Sequence, residues 1–142
     1  MSSGAPSGRG APQAVEYRHR SSVDHEELQR LFERAWGARK ADFRPVLARS
    51  FTWIAAYAGA ALVGFVNVAW DGGVHFFLLD TTVHPDWQHR GIGAALVREA
   101  IDACRGAGEW LHVDSSSELM EFYRRCGFSD TAAGVLSVKR RT

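Results

Sequence analysis

Apolar residues recur along this chain with two different periods, and the switches between them mark out its elements. Leu28, Leu31, Phe32 and Ala35 fall three and four apart, the spacing that places side chains on one face of a helix. Asp24 followed by Glu27 resembles a capping pair, so this first helix is expected to run from there to near Gly37. Weak alternation from Val15 to Arg20 predicts a strand ahead of it. After a loop from Trp36 to Lys40, Asp42 can cap a short helix reaching Arg49. Pro45 is tolerated in its first turn, and Phe43, Val46 and Leu47 are expected to face inward.

The period then changes. Phe51 to Tyr57 and Leu62 to Trp70 are rich in aromatic and β-branched residues and flank Ala58-Gly59-Ala60-Ala61, which predicts a hairpin. Asp71-Gly72-Gly73 is a second turn signal before a strand from Val74 to Val83. Helical spacing returns at Ile92, Leu96, Ala100 and Ala103, and Gly106 and Gly108 stop that helix after Cys104. Trp110 to Val113 reads as a strand. Ser116 or Ser117 can cap a last helix with Leu119, Phe122, Tyr123 and Cys126 inward and Gly127 just past its end. Gly134 to Lys139 is expected as a final strand. The order β-α-α-β-β-β-α-β-α-β implies an α+β fold, a mixed and mainly antiparallel sheet with helices on its faces.

Composition narrows the function classes. A chain of 142 residues with 46% hydrophobic and 11% aromatic content is sized for one domain, expected over 14–142. Residues 1–13, small, polar and broken by Gly and Pro, are expected to be a disordered tail. The formal net charge of +1 supplies no global field toward nucleic acid or membrane, so neither is expected as a partner. With no apolar run of membrane-spanning length and no signal-peptide pattern, a cytoplasmic location is the expectation. Cys104 and Cys126 lack Cys-x-x-Cys or Cys/His metal spacing, so both are read as reduced thiols and no metal is expected.

The chemistry concentrates in Val83-His84-Pro85-Asp86-Trp87-Gln88-His89-Arg90-Gly91-Ile92-Gly93, which runs directly into Ala94-Ala95-Leu96-Val97. A strand ends at a proline, and a glycine-spaced turn opens straight into a helix. First-turn N–H groups have no partners within a helix and the macrodipole adds partial positive charge, so phosphate is a natural ligand there. The dinucleotide fingerprint fails because Leu96 stands where Gly or Ala is needed, and a Walker loop fails for want of Gly-Lys-Ser/Thr. Gln/Arg-x-x-Gly-x-Gly/Ala after a Val-x-Pro strand end does fit, and here the sequence resembles the GNAT family of N-acetyltransferases. Phe122-Tyr123-Arg124-Arg125-Cys126-Gly127-Phe128 matches a second family signature, Phe-Tyr-x-x-x-Gly-Phe, about thirty residues later with one strand between. The resemblance covers roughly residues 15–140.

The resemblance implies a sheet of 6–7 strands flanked by helices on both faces, and transfer of acetyl from acetyl-CoA to a primary amine by direct attack in a ternary complex. It implies that Gln88, His89, Arg90, Gly91, Ile92, Gly93 and Ala94 hold the pyrophosphate, and that a main-chain N–H near Thr82 or Val83 polarises the carbonyl. Tyr123 is implied as the acid that protonates the leaving thiolate, its alternative being a core tyrosine anchored by its hydroxyl. Asp80 interrupts the apolar run Phe76-Phe77-Leu78-Leu79 where many family members carry an acid. It suits a base acting directly or through water, and equally a structural carboxylate.

Arg90, Arg98, Arg124 and Arg125 are candidates for CoA phosphates, the last three equally for a solvated helix face. His75 and His112 are alternative bases, His84 and His89 flank the loop, and Cys126 either packs or approaches a bound thioester. One departure stands out: where the family often has Asn after the fifth strand, this chain reads Val113-Asp114-Ser115-Ser116-Ser117-Glu118, so Ser116 is the substitute candidate for the pantetheine arm. Acceptor contacts are expected from Trp36 to Lys40 and near Trp70 and Asp114. A small-molecule amine is the expected acceptor, with a protein or peptide amine second and a CoA-binding regulator without turnover as the rival from another class. Dimers are frequent in the family, which leaves a homodimer open.

Overall fold

The computed structural model describes residues 14–39 and 42–141, so the expected N-terminal tail and Lys40 of the expected loop lie outside the described residues. Strand β1 (Val15–His19) is followed by helix α1 (His25–Trp36) and helix α2 (Arg44–Arg49). Strands β2 (Thr52–Ala58), β3 (Ala61–Trp70) and β4 (His75–Val83) form a meander, then come helix α3 (Ile92–Cys104), strand β5 (Trp110–Val113) and helix α4 (Met120–Arg125). The sheet is open, in the order β1-β2-β3-β4-β5, antiparallel except for the parallel β4–β5 pair.

Local chemistry explains the helix starts. The Asp24 carboxylate accepts the Glu27 N–H at 2.8 Å, the first half of a capping box. The Glu27 carboxylate reaches instead across to the Leu62 N–H at 3.1 Å, tying α1 to the start of β3. At α2, Phe43 occupies the N-cap position while Asp42 accepts the Arg44 N–H at 2.9 Å and pairs with its guanidinium. That pairing holds the Asp42 carboxyl down at about 2.

The central strands β2 and β3 are buried on both sides. Ile54, Ala56, Val66, Val68, Phe76 and Leu78 pack beneath α3, through its residues Ile92, Leu96, Val97 and Ala100. On the other face Ala55, Tyr57, Leu62 and Phe65 meet Leu28, Leu31, Phe32, Phe43 and Leu47 from α1 and α2. Phe32, Phe43 and Phe65 form a triangle with ring centroids 5.0, 6.2 and 5.8 Å apart, each pair worth about 0.5–1.5 kcal/mol beyond its buried area. Gly64 allows the close approach of α3, since a Cβ there would lie 3.0 Å from Leu96 Cδ1 and 3.2 Å from Ile92 Cγ2.

Four expectations are corrected. The sheet has five strands rather than 6–7, because residues 134–139 take no regular structure and join no sheet, and Val135, Leu136 and Val138 are 83–88% exposed. Val46 points to solvent, since the short α2 turns only Phe43 and Leu47 to the core. Leu119 is also exposed, because residues 117–119 form a separate 3-10 turn whose tighter winding takes it off the inward face of α4. Trp36 is the last residue of α1 rather than the first of a loop. Among the described residues no helix is long and apolar enough to cross a membrane.

Candidate active site at the opening between β4 and β5

The parallel ladder joins His75–Leu78 to Trp110–Val113 and ends there. Strand β4 runs on to Val83 while the chain leaves β5 through Asp114 and Ser115, so the two strands part. Along the diverging stretch β4 carries a bulge. Phe65 pairs with Thr82 but Asn67 pairs with Leu79, which places one extra residue on β4. Asp80 absorbs it with φ 60, a left-handed conformation costing a non-glycine residue roughly 1–2 kcal/mol. Beyond the bulge the ladder alternates again. The His84 N–H donates to Val63 O at 2.8 Å, so the Val83 backbone faces away from β3, toward the opening. The Gln88 side-chain amide donates to Val83 O at 3.2 Å, and the Val83 N–H points the same way.

The loop after β4 aims α3 at this opening. Pro85–Trp87 make one 3-10 turn, capped by His84 Nδ1, which accepts the Asp86 N–H at 3.1 Å. His89 and Gly91 adopt φ 63 and φ 85, and the Gly91 carbonyl accepts the Ala95 N–H at 3.0 Å as the first bond of α3. The N–H groups of Ile92, Gly93 and Ala94 therefore precede any intrahelical acceptor. A Cβ on Gly91 would meet nothing within 4 Å, so its backbone angle rather than crowding demands glycine. A Cβ on Gly93 would lie 3.5 Å from Phe122 Cζ and 3.7 Å from Val83 Cγ2, which places the start of α3 against both β4 and α4. Gln88, His89 and Arg90 are exposed, whereas the Ile92 side chain is core. The Arg90 guanidinium lies over the Trp87 ring, 4.7 Å from its centroid, and donates to Asp86 O at 3.3 Å.

A cavity of about 470 Å³ opens at the same place, lined among others by Trp36, Asp80, Thr81, Asp114, Ser116 and Tyr123. Both candidate catalytic residues, Asp80 and Tyr123, thus line one cavity. The Tyr123 ring is buried between Phe122 and Phe128, with centroids 5.0 and 5.7 Å away. Burial pushes its phenol above the usual tyrosine value, and a hydrogen bond with the Thr81 side chain works in the opposite direction. The Trp36 indole N–H donates to Thr82 Oγ1 at 3.0 Å, and that hydroxyl donates to Asp80 O at 3.0 Å, so α1 is strapped to the bulge. Arg39 also lines the cavity, but its guanidinium is held by Glu26 at 2.6 Å and Glu33 at 3.4 Å. Ser116 stands at the N-cap of the 3-10 turn, and Ser115 Oγ donates to Ser116 O at 3.2 Å.

Other candidates lie elsewhere. His75 Nδ1 and His112 Nε2 are 2.9 Å apart on the paired part of β4 and β5, and Phe77 stacks on His112; neither histidine lines the cavity. Arg124 makes two hydrogen bonds of 2.9 Å to Asp130 and a third to Glu121, and Arg125 also pairs with Glu121. Cys126 packs partly buried against the α3-side core, and burial raises its thiol. Among the described residues no group of three His, Cys, Asp or Glu is placed to hold a metal ion. Thr81 and the indole strap of Trp36 were missed by the sequence reading. Alternation alone gives no sign of a bulge that brings Thr81 to Tyr123 on α4, 42 residues further along the chain.

The model of the acetyltransferase (GNAT) family matches residues 16–128, which is most of the chain and includes every element that builds the opening. The chain belongs to the GNAT family. An N-alpha-acetyltransferase RimI from Mycobacterium tuberculosis is 32% identical over 80 residues, covering 54% of this chain and 51% of that protein. An uncharacterized N-acetyltransferase ycf52 from Pyropia yezoensis is 29% identical over 79 residues, covering 55% of this chain and 45% of its own. The chain thus matches about half the length of these curated GNAT relatives. Among solved structures, a GNAT-family acetyltransferase from Streptococcus pneumoniae TIGR4 superposes with a TM-score of 0.78 at 24% identity, covering 90% of this chain and 100% of that one. The aminoglycoside N-acetyltransferase AAC(6')-Iy, in a complex with a CoA-linked bisubstrate analogue, gives 0.71 at 18% identity over 90% of this chain and 99% of its own. At such identities these two structures speak for the GNAT fold alone.

Proposed function

We propose that this GNAT chain transfers the acetyl group of acetyl-CoA to a primary amine of a small cationic molecule, by direct attack in a ternary complex. The observation that carries the reading is the convergence, at one strand opening, of a helix start rich in unpaired N–H donors and a cavity lined by a carboxylate and a buried phenol. The N–H groups from Gln88 to Ala94 suit the pyrophosphate, with Gly91 and Gly93 letting it approach main chain. Ser116, at the cavity wall, suits the pantetheine arm. Arg90 is free to exchange its Trp87 and Asp86 contacts for a phosphate oxygen.

In the reaction the amine nitrogen attacks the thioester carbonyl carbon while the Val83 N–H donates to the carbonyl oxygen. Asp80 takes the proton the amine loses, directly or through water. The C–S bond breaks, and Tyr123 gives its proton to the departing thiolate, leaving an amide and free CoA thiol. A neutral phenol is the required form, and burial favours it. Asp80 and Asp114 line the acceptor side while Arg39 is matched by two glutamates, which suits a cationic amine.

A protein or peptide amine is the second reading, supported by the similarity to a protein whose printed name is an N-alpha-acetyltransferase. Release of free CoA, measured with acetyl-CoA as donor across a panel of small amines and N-terminal peptides, tests both. Turnover on peptides alone would replace the small-molecule reading. Acetyl-CoA binding without CoA release on any amine would replace both with a regulator that keeps the site.

A further inference from the structure

Trp36 closes α1 with 59% of its surface exposed, so packing alone does not hold its ring. The bond from its indole N–H to Thr82 Oγ1 does. Thr82 is the opposite case: it is 1% exposed and does not line the cavity, so its hydroxyl can influence the site only through its neighbours. That hydroxyl accepts from the indole and donates to Asp80 O, closing a ring across Thr81. The Thr81 side chain is in turn hydrogen-bonded to the Tyr123 phenol. The bulge from Asp80 to Thr82 is thus gripped by side-chain bonds from α1 and from α4 together.

A left-handed conformation at a residue with a side chain persists only where its surroundings over-determine it, and Asp80 at φ 60 is such a residue. Val83, whose N–H faces the opening, follows Thr82 directly, so a relaxed bulge would displace that donor and the Asp80 carboxylate together. A displacement of about 1 Å at reacting groups costs on the order of 10²-fold in rate. We infer that Trp36 and Thr82 are positioning residues, an indole-to-hydroxyl strap from the end of α1 that holds the bulge in its reactive geometry, a role that rests on the acetyl-transfer reading above. Neither side chain takes part in bond making or proton transfer. Because Trp36 also lines the cavity, the rival role for it is a simple contact with the acceptor, and kinetics separate the two.

Thr82→Val keeps the shape of the side chain and removes both bonds, Thr82→Ser keeps the hydroxyl, and Trp36→Phe keeps a ring but not the indole donor. CoA release with the best amine for wild type gives kcat and KM, and amide hydrogen exchange reads the bulge without turnover. In Thr82→Val and Trp36→Phe kcat is expected to fall about tenfold, with acceptor KM and acetyl-CoA affinity within about twofold of wild type. Thr82→Ser should restore most of kcat, and Trp36→Phe/Thr82→Val should fall no further than Thr82→Val, since one strap is broken once. Exchange should quicken at residues 80–84 and not in β2. Should Thr82→Val fail to fold by circular dichroism, Trp36→Phe at its exposed position carries the same test. A raised acceptor KM with unchanged kcat in Trp36→Phe overturns the strap and makes Trp36 an acceptor contact. Unchanged exchange at 80–84 in the folded variants, or Thr82→Ser as slow as Thr82→Val, overturns it too. A wild type that releases CoA with no amine overturns the acetyl-transfer reading itself, whereas an active wild type whose variants keep its kcat overturns the strap alone.

Discussion

Replacing Tyr123 by Phe removes one oxygen and leaves the ring between Phe122 and Phe128. The structural loss is the single hydrogen bond with Thr81, worth about 1 kcal/mol, and Thr81 is only partly buried so that water can replace some of it. Melting temperature should therefore fall by roughly 2–6 °C or less. Turnover should fall far more, on the order of 10²–10⁴-fold for loss of a general acid, with acetyl-CoA affinity by calorimetry nearly unchanged. The pH profile supplies an independent check. Because burial raises the phenol above its ordinary 10.0, the limb that reports its ionisation should lie on the alkaline side of that value, activity being lost as pH rises. Thr81→Val removes the interaction that lowers the phenol and should move the limb further alkaline. A folded Phe variant with wild-type turnover, or a Thr81→Val limb moving toward neutral, would refute the assignment of Tyr123 as the acid.

Asp80→Asn should lower the rate most near neutral pH and least in alkaline solution, where the amine deprotonates unaided; an unshifted profile would pass the role to water. Gly91→Val forces a β-branched residue to φ 85, costing about 1–2 kcal/mol of backbone energy in a folded protein, and should weaken acetyl-CoA binding by calorimetry. Unchanged affinity in that variant would remove the pyrophosphate from the loop. Cys104 is raised by burial from 9.0 to about 11, so its contribution to stability is complete below pH 9 and is lost as pH rises to about 11. Urea midpoints of wild type and Cys104→Val should therefore converge or cross over that window, and parallel curves would show that the thiol does not ionise there.

Much of this architecture was legible because its signals are local. The strand, proline, glycine pair and amphipathic helix from Val83 to Cys104 each constrain the next residue, and the structure places them as read. Asp80 and Tyr123 were nominated separately, and the parting of β4 from β5 brings them to one cavity. The failures share a different cause. Residues 134–139 have a strand's pattern, but a strand exists only with a neighbour, and alternation says nothing about whether one is available in the same chain. Asp80's bulge depends on a register mismatch between two strands, which neither strand's sequence contains. Leu119 and Val46 were misplaced because a single 3-10 turn, or a helix of six residues, shifts which face is inward.

The left-handed backbone at Asp80 also bears on how the protein responds to selection. The conformation suits glycine better than any residue with a side chain, so Asp80→Gly would relieve the bulge while discarding the carboxylate. Evolution or engineering toward heat resistance alone would favour that exchange, and under the proposed role of Asp80 as base only selection on turnover would oppose it. On that proposal the aspartate is a position where durability and activity pull apart, and a thermostabilised descendant that kept it would have been chosen for what it does.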